Sequence, residues 1–199
     1  MTHIYKDKKS IKTLVLFHGT GADEHDMIPL GEYIDTYANI LSIRGRVKEG
    51  TLNRYFKRFS SHSFDLDSLE EETKIIYEFL MESSKTYHID LKKAVYIGYS
   101  NGANILSNLM MTYDLGADRV YLLHPMVIKD NHTYARKEKK EVIITAALND
   151  FMVPKDHPEK LKTQLLNVFD HVTVKYFDDG HQISKKEIDF IKTYEGNRL

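Results

Sequence analysis

Short unbroken apolar runs alternate along this chain with stretches whose apolar positions recur every three or four residues. The runs are Leu14–Phe17, Ile40–Ile43, Ala94–Ile97, Val120–Leu123 and Val142–Ala146, and Val172–Phe177 continues the series. Such runs predict strands buried on both faces, hence a mainly parallel central sheet. Helices are predicted at Met27–Tyr37, with Pro29 tolerated near the start, and from Asp67 to about Tyr87. Further helices follow from Asn101 to about Tyr113, at Pro158–Phe169 and at Ser184–Tyr194. Asp67 with Glu70 resembles a capping box, and Leu69, Ile76, Phe79 and Leu80 form the apolar stripe behind it. Strand and helix in alternation make an α/β protein with helices on both faces of the sheet. Residues 44–66 interrupt the pattern with a long connection rich in arginine and aromatic residues. That length inside a compact domain marks a functional loop or a cover over a site. No repeat, low-complexity tract or linker divides the chain, so residues 1–199 are read as one domain.

In sheets of this kind ligands bind beyond the carboxyl ends of the strands. Four polar features fall just past predicted strand ends: His18-Gly19-Thr20-Gly21, Ser100, Asp150 and His181. The most specific is Gly98-Tyr99-Ser100-Asn101-Gly102, a Gly-x-Ser-x-Gly pattern between a strand and a helix. It predicts a sharp turn that presents Ser100 at a helix N-terminus, where free N–H groups and the dipole favour developing negative charge. A serine hydroxyl needs an adjacent base to act as a nucleophile. His181 is the candidate, because Asp178-Asp179-Gly180 lets its loop bend over the sheet edge. His18 and His124 also follow strands and are its rivals. An acid should hold that imidazole in one tautomer. Asp150 lies after one strand and before Phe151-Met152-Val153-Pro154; Asp178 and Asp179 are alternatives, too near His181 in sequence to reach its far nitrogen easily. Acyl chemistry also calls for two backbone N–H donors at the developing oxyanion. Asn101, after the serine, and Thr20, in the glycine-bearing loop after the first buried strand, are the choices.

Composition narrows the field. The chain has 199 residues, 42% of them hydrophobic, and a formal net charge of −1. The strongest basic run, Arg136 to Lys140, is broken by Glu138, so no nucleic-acid partner is expected. There is no cysteine, which removes disulfides, thiolate metal sites and a cysteine nucleophile. The lysine-rich start, Met1 to Lys12, lacks the apolar centre of a signal peptide, and no stretch approaches a membrane span. The expectation is a soluble cytoplasmic protein.

Together these residues resemble the carboxylesterase/phospholipase family of small α/β-hydrolases, the group that includes acyl-protein thioesterase-like enzymes. The matching stretches include Leu16 to Glu24, Ser42-Ile43-Arg44-Gly45, Arg54-Tyr55-Phe56-Lys57-Arg58, Gly98 to Asn104, Leu123-His124-Pro125-Met126, Asn149 to Pro154 and Gly180-His181. The order Ser100, Asp150, His181 is the chain order of that superfamily's triads. Ala147 departs from the pattern, since relatives often carry glycine there. The resemblance implies an α/β-hydrolase fold with minimal or no lid, and a serine esterase without metal or cofactor. It implies Ser100, Asp150 and His181 as triad, with Thr20 and Asn101 as oxyanion donors. The expected substrate is a small carboxylic ester, and relatives often form dimers. A thioesterase or lysophospholipase would use the same apparatus, and a non-catalytic ligand-binding homologue is a further alternative. His18, Arg44, Arg54, Phe56, His124 and Met152 are the expected substrate contacts. For the arginines of residues 44–66 an equal alternative is pairing with Asp65, Asp67 and Glu70.

Overall fold

The structure is a computed structural model that describes residues 1–130 and 138–196, with residues 138–140 as backbone only. The basic run at 136–140 therefore lies outside the described side chains. A seven-stranded sheet runs through the molecule. Its strands are β1 (His3–Lys6), β2 (Thr13–Phe17), β3 (Asn39–Ile43), β8 (Val95–Tyr99), β9 (Arg119–Leu123), β10 (Glu138–Ala147) and β11 (Phe169–Phe177), in the order β1-β3-β2-β8-β9-β10-β11. All neighbours are parallel except β1, which pairs antiparallel with β3 at the edge. Between β3 and β8 lie β4 (Val47–Glu49) with β5 (Leu52–Arg54), and β6 (Arg58–Ser60) with β7 (Ser63–Phe64), two small hairpins.

Alternate residues of the central strands feed two cores. Val15, Phe17, Tyr96, Val120 and Ile144 pack under α2 (Leu66–Thr86), α3 (Asn101–Thr112) and α4 (His157–Leu165). Leu14, Leu16, Val95, Ile97, Tyr121 and Ile143 pack under α1 (Ile28–Ile34) and α5 (Lys185–Gly196). Burial of both strand faces is why these runs carry no polar alternation. Among the described residues no helix is long and apolar enough to cross a membrane.

Several boundaries differ from the sequence reading. β1 lies in the segment read only as a polar start; its residues are half-buried, as an edge strand allows. The long helix α2 is capped by Asp65, whose carboxylate accepts from Ser68 N at 2.9 Å, not by Asp67. Asp65 has the extended backbone a cap needs, and Asp67 instead sits in the first turn, where its charge suits the helix dipole. α1 ends at Ile34 and α4 at Leu165, and Phe169 opens β11 instead of closing a helix.

Register decides where the site forms. Phe17 lies opposite Gly98, Tyr99 opposite Leu123, and Leu123 opposite Thr145. The strands thus end level, and the residues that follow them share one rim. Ser100 N donates to Leu123 O at 2.8 Å and His124 N to Thr145 O at 3.0 Å, which carries the ladder one residue past each strand.

Candidate active site

Ser100 sits between β8 and α3 with φ 50° and ψ −114°. A non-glycine residue there stores roughly 1–3 kcal/mol of strain. The surrounding glycines make the turn fit. A Cβ on Gly98 would lie 2.7 Å from Gly102 O, and one on Gly102 would lie 2.3 Å from Phe17 O. The turn therefore presses α3 against the end of β2. Asn101 opens α3, so its N–H belongs to the first turn, whose amides have no intrahelical partner.

The loop after β11 brings His181 over this turn. His181 Nε2 lies 2.9 Å from Ser100 Oγ, and its Nδ1 lies 2.7 Å from Asp150 Oδ2. With the carboxylate as acceptor, Nδ1 carries the proton and Nε2 is free to accept from the serine hydroxyl. The other oxygen of Asp150 accepts from the amides of Met152 at 2.8 Å and Val153 at 3.1 Å. Burial pushes the Asp150 carboxyl up, but the hydrogen bonds from His181 and these amides outweigh it and hold it below its ordinary value. Asp150 is thus an ionised anchor held by these three hydrogen bonds. Tyr99 donates from its hydroxyl to His181 O at 3.0 Å and pins that loop. It is hidden inside the Gly-x-Ser-x-Gly pattern as one of the unspecified positions.

A cavity of about 500 Å³ opens over Ser100. Thr20 and Asn101 lie in its floor; Arg54, Arg58, His62 and Phe64 come from the segment 44–66, and Phe151 and Met152 from the loop beside Asp150. The long segment thus forms a wall of the cavity through its two hairpins. Arg54 Nη1 donates to Thr20 Oγ1 at 2.7 Å, and its Nε donates to Phe56 O at 3.2 Å. Burial and the nearby Arg58 charge pull the Arg54 guanidinium down to about 10.

Arg54 and Met152 line the cavity as expected, but the other four expected contacts do not. His18 is buried; its Nδ1 donates to Gly19 O at 2.6 Å and its Nε2 accepts from Gly45 N at 3.0 Å. Burial pushes it below its ordinary value, so it is a neutral brace. Phe56 is fully buried in the core under α2. Arg44 faces a different hollow and is ion-paired with Glu24. His124 lies behind Asp150, with its Nδ1 3.2 Å from Asp150 Oδ2 and its Nε2 3.1 Å from Glu187 Oε2. The arginines do pair with acids, though with others than expected: Arg46 with Glu72, and Arg54 and Arg58 with Glu49. Asp65 is occupied with capping, and Glu70 pairs with Lys129. Asp178 and Asp179 are not the partners of His181 Nδ1, whose oxygen belongs to Asp150.

Among the described residues, two acid–histidine groups are compact enough to raise the question of a cation. In His124, Asp150 and His181 the two ring nitrogens share one carboxylate oxygen at hydrogen-bond distances, so protons occupy the lone pairs a cation would need. In Asp23, Glu24 and His25 both acids are engaged by Arg44.

Level strand ends, a strained strand-to-helix serine and a histidine returning after the last strand define an α/β-hydrolase. Comparison with known proteins names the family. The Phospholipase/Carboxylesterase family model matches residues 3–195, and the chain belongs to that family. It is 35% identical over 187 residues to MhqD of Bacillus subtilis (strain 168), named provisionally as a hydrolase, with 94% of each chain covered. The crystal structure of the Bacillus cereus carboxylesterase superposes with a TM-score of 0.94 at 36% identity, covering 100% of this chain and 95% of that one. The structure of YahD with malic acid matches with a TM-score of 0.91 at 31% identity, covering 100% and 99%. The carboxylesterase of Mesorhizobium loti matches at 0.87 and 28%, covering 94% and 89%.

Proposed function

We propose that the protein hydrolyses small carboxylic esters through an acyl-enzyme on Ser100. The observation that carries this reading is the unbroken chain Ser100 Oγ, His181 and Asp150, with contacts of 2.9 and 2.7 Å. His181 Nε2 takes the hydroxyl proton as Oγ attacks the ester carbonyl, and Asp150 stabilises the imidazolium that forms. The carbonyl oxygen becomes an oxyanion, held by the N–H groups of Asn101 and Thr20; loss of one such donor commonly costs about 10²–10³ in rate. Collapse breaks the bond to the leaving alkoxide, which takes the proton from His181. Water, deprotonated by the same nitrogen, then attacks the acyl-enzyme and releases the acid and Ser100.

A cavity of about 500 Å³ lies within the range of small-ligand pockets and suits a small ester. A thioester would be attacked in the same way.

The test is a panel of p-nitrophenyl esters from acetate to palmitate, with an acyl-CoA, run on wild type and Ser100→Ala together with a fluorophosphonate probe. The expected result is turnover that declines with chain length and a label that disappears in Ser100→Ala. A folded protein that neither labels nor turns over any ester would be a non-catalytic homologue and would sink the proposal.

A further inference from the structure

The side of Asp150 turned away from the cavity holds a second histidine that the reaction as written does not use. His124 follows β9 with φ 50° and is buried. Its two ring nitrogens face two carboxylates, Asp150 Oδ2 at 3.2 Å and Glu187 Oε2 at 3.1 Å. Neither oxygen of an ionised carboxylate can donate, so both nitrogens must carry protons, and the ring is then an imidazolium. Glu187 is fixed in turn. Thr145 Oγ1 donates to its Oε1, and with Ser184 it forms the capping box of α5, Glu187 N donating to Ser184 Oγ at 3.3 Å. The far end of α5 is tied down at Glu195, which accepts from Tyr121 OH at 2.7 Å and pairs with Lys12 at 2.6 Å and with Arg119.

We propose that His124 is a positioning residue: a standing imidazolium, clamped between Asp150 and Glu187, that holds Asp150 toward His181 and sets the pH below which His181 ceases to be available as base. This rests on the proposed role of His181. The other titratable groups facing His124 do not supply its charge. His181 meets it edge-on with ring centroids 5.4 Å apart. Tyr99 stands edge-on at 6.0 Å, and burial followed by Glu187 and Asp150 pushes its hydroxyl up to about 12, so it stays neutral. Lys155 and Tyr176 border a cavity of about 150 Å³ beside the ring. Burial alone would push His124 down; the hydrogen bonds and charges of Glu187 and Asp150 outweigh it and hold it above its ordinary value.

A standing positive charge 5.4 Å from His181 opposes protonation of that ring before substrate arrives.

The test has two parts. In wild type, ¹⁵N NMR of the imidazoles at pH 7 should show both nitrogens of His124 protonated, where an ordinary histidine is mostly neutral; a ring nitrogen largely unprotonated there overturns the proposal. This needs no turnover, so it stays distinct from failure of Ser100 to label, which sinks the hydrolase reading instead. The second part is the acid limb of the kcat/KM profile. In His124→Gln it should rise by about two pH units, the size of a charge interaction at 5.4 Å in a medium of effective dielectric near 20. Glu187→Gln keeps a residue suited to the capping box but removes the carboxylate that does most to hold His124 protonated, so the limb should rise here too, by less than in His124→Gln. The double variant should return it toward wild type. Loss of rate or stability with the limb unmoved in all three would mean that His124 merely packs.

Discussion

Gly102→Ala is a one-methyl change at the junction of α3 and β2. The new carbon would lie 2.3 Å from Phe17 O and 2.5 Å from His18 O, about 1.1 Å inside the 3.4 Å at which ordinary contact begins. Both obstructing atoms are backbone, so no rotamer change relieves the clash. Helix propensity alone favours alanine by about 1 kcal/mol, while forced overpacking costs about 1–3 kcal/mol. The clash wins by about 1–2 kcal/mol at the upper end of that range, and the melting temperature should fall by about 2–8 °C for a chain of this size. The effect on rate should be larger. The relief available is separation of the first turn of α3 from the loop after β2, and these segments carry the Asn101 and Thr20 amides. A displacement of about 1 Å at such donors is worth about 10² in rate. The assay is kcat/KM on a short p-nitrophenyl ester beside scanning calorimetry, with fluorophosphonate labelling slowed in parallel. A variant with a raised melting temperature and undiminished kcat/KM would refute the reasoning, since it would show that α3 slides away from β2 without opening the pair.

Two further substitutions probe neighbouring features. Ser100→Gly abolishes labelling and turnover, yet relief of roughly 1–3 kcal/mol of backbone strain should exceed glycine's entropic cost of about 0.5–1 kcal/mol and raise the melting temperature; a lowered one would mean the φ of 50° is not strained. Arg54→Met keeps the volume but frees Thr20 Oγ1, and kcat/KM should fall about tenfold, the worth of one hydrogen bond to a charged group. Thr20→Val should reproduce that loss in wild type and add nothing to Arg54→Met; additive losses would uncouple the two residues.

Much of this architecture was legible because neighbours in the chain carry it. Parallel strands buried on both faces must be apolar throughout, so β2, β3, β8 and β9 stand out as runs, and a strand-to-helix serine needs its glycines at fixed offsets. Ser100, Asp150 and His181 were each found as the polar residue just past a strand. β1 was not legible, because a half-buried edge strand with two lysines nearby has no such run. The hairpins of residues 44–66 were missed for a similar reason: each strand is two or three residues long.

His124 marks the boundary. The sequence places it at a strand end, and so did we, but as a substrate contact. Its partner Glu187 lies 63 positions away. The Ser184-Lys185-Lys186-Glu187 pattern announces a helix cap and says nothing of a histidine. Local propensity and periodicity depend on residues a few positions apart, and the amino-acid order alone determines them. Which face of the rim a side chain turns toward, and which charge from a distant helix meets it there, depends on strand order, register and the docking of α5, and those exist only once the sheet has closed its two cores.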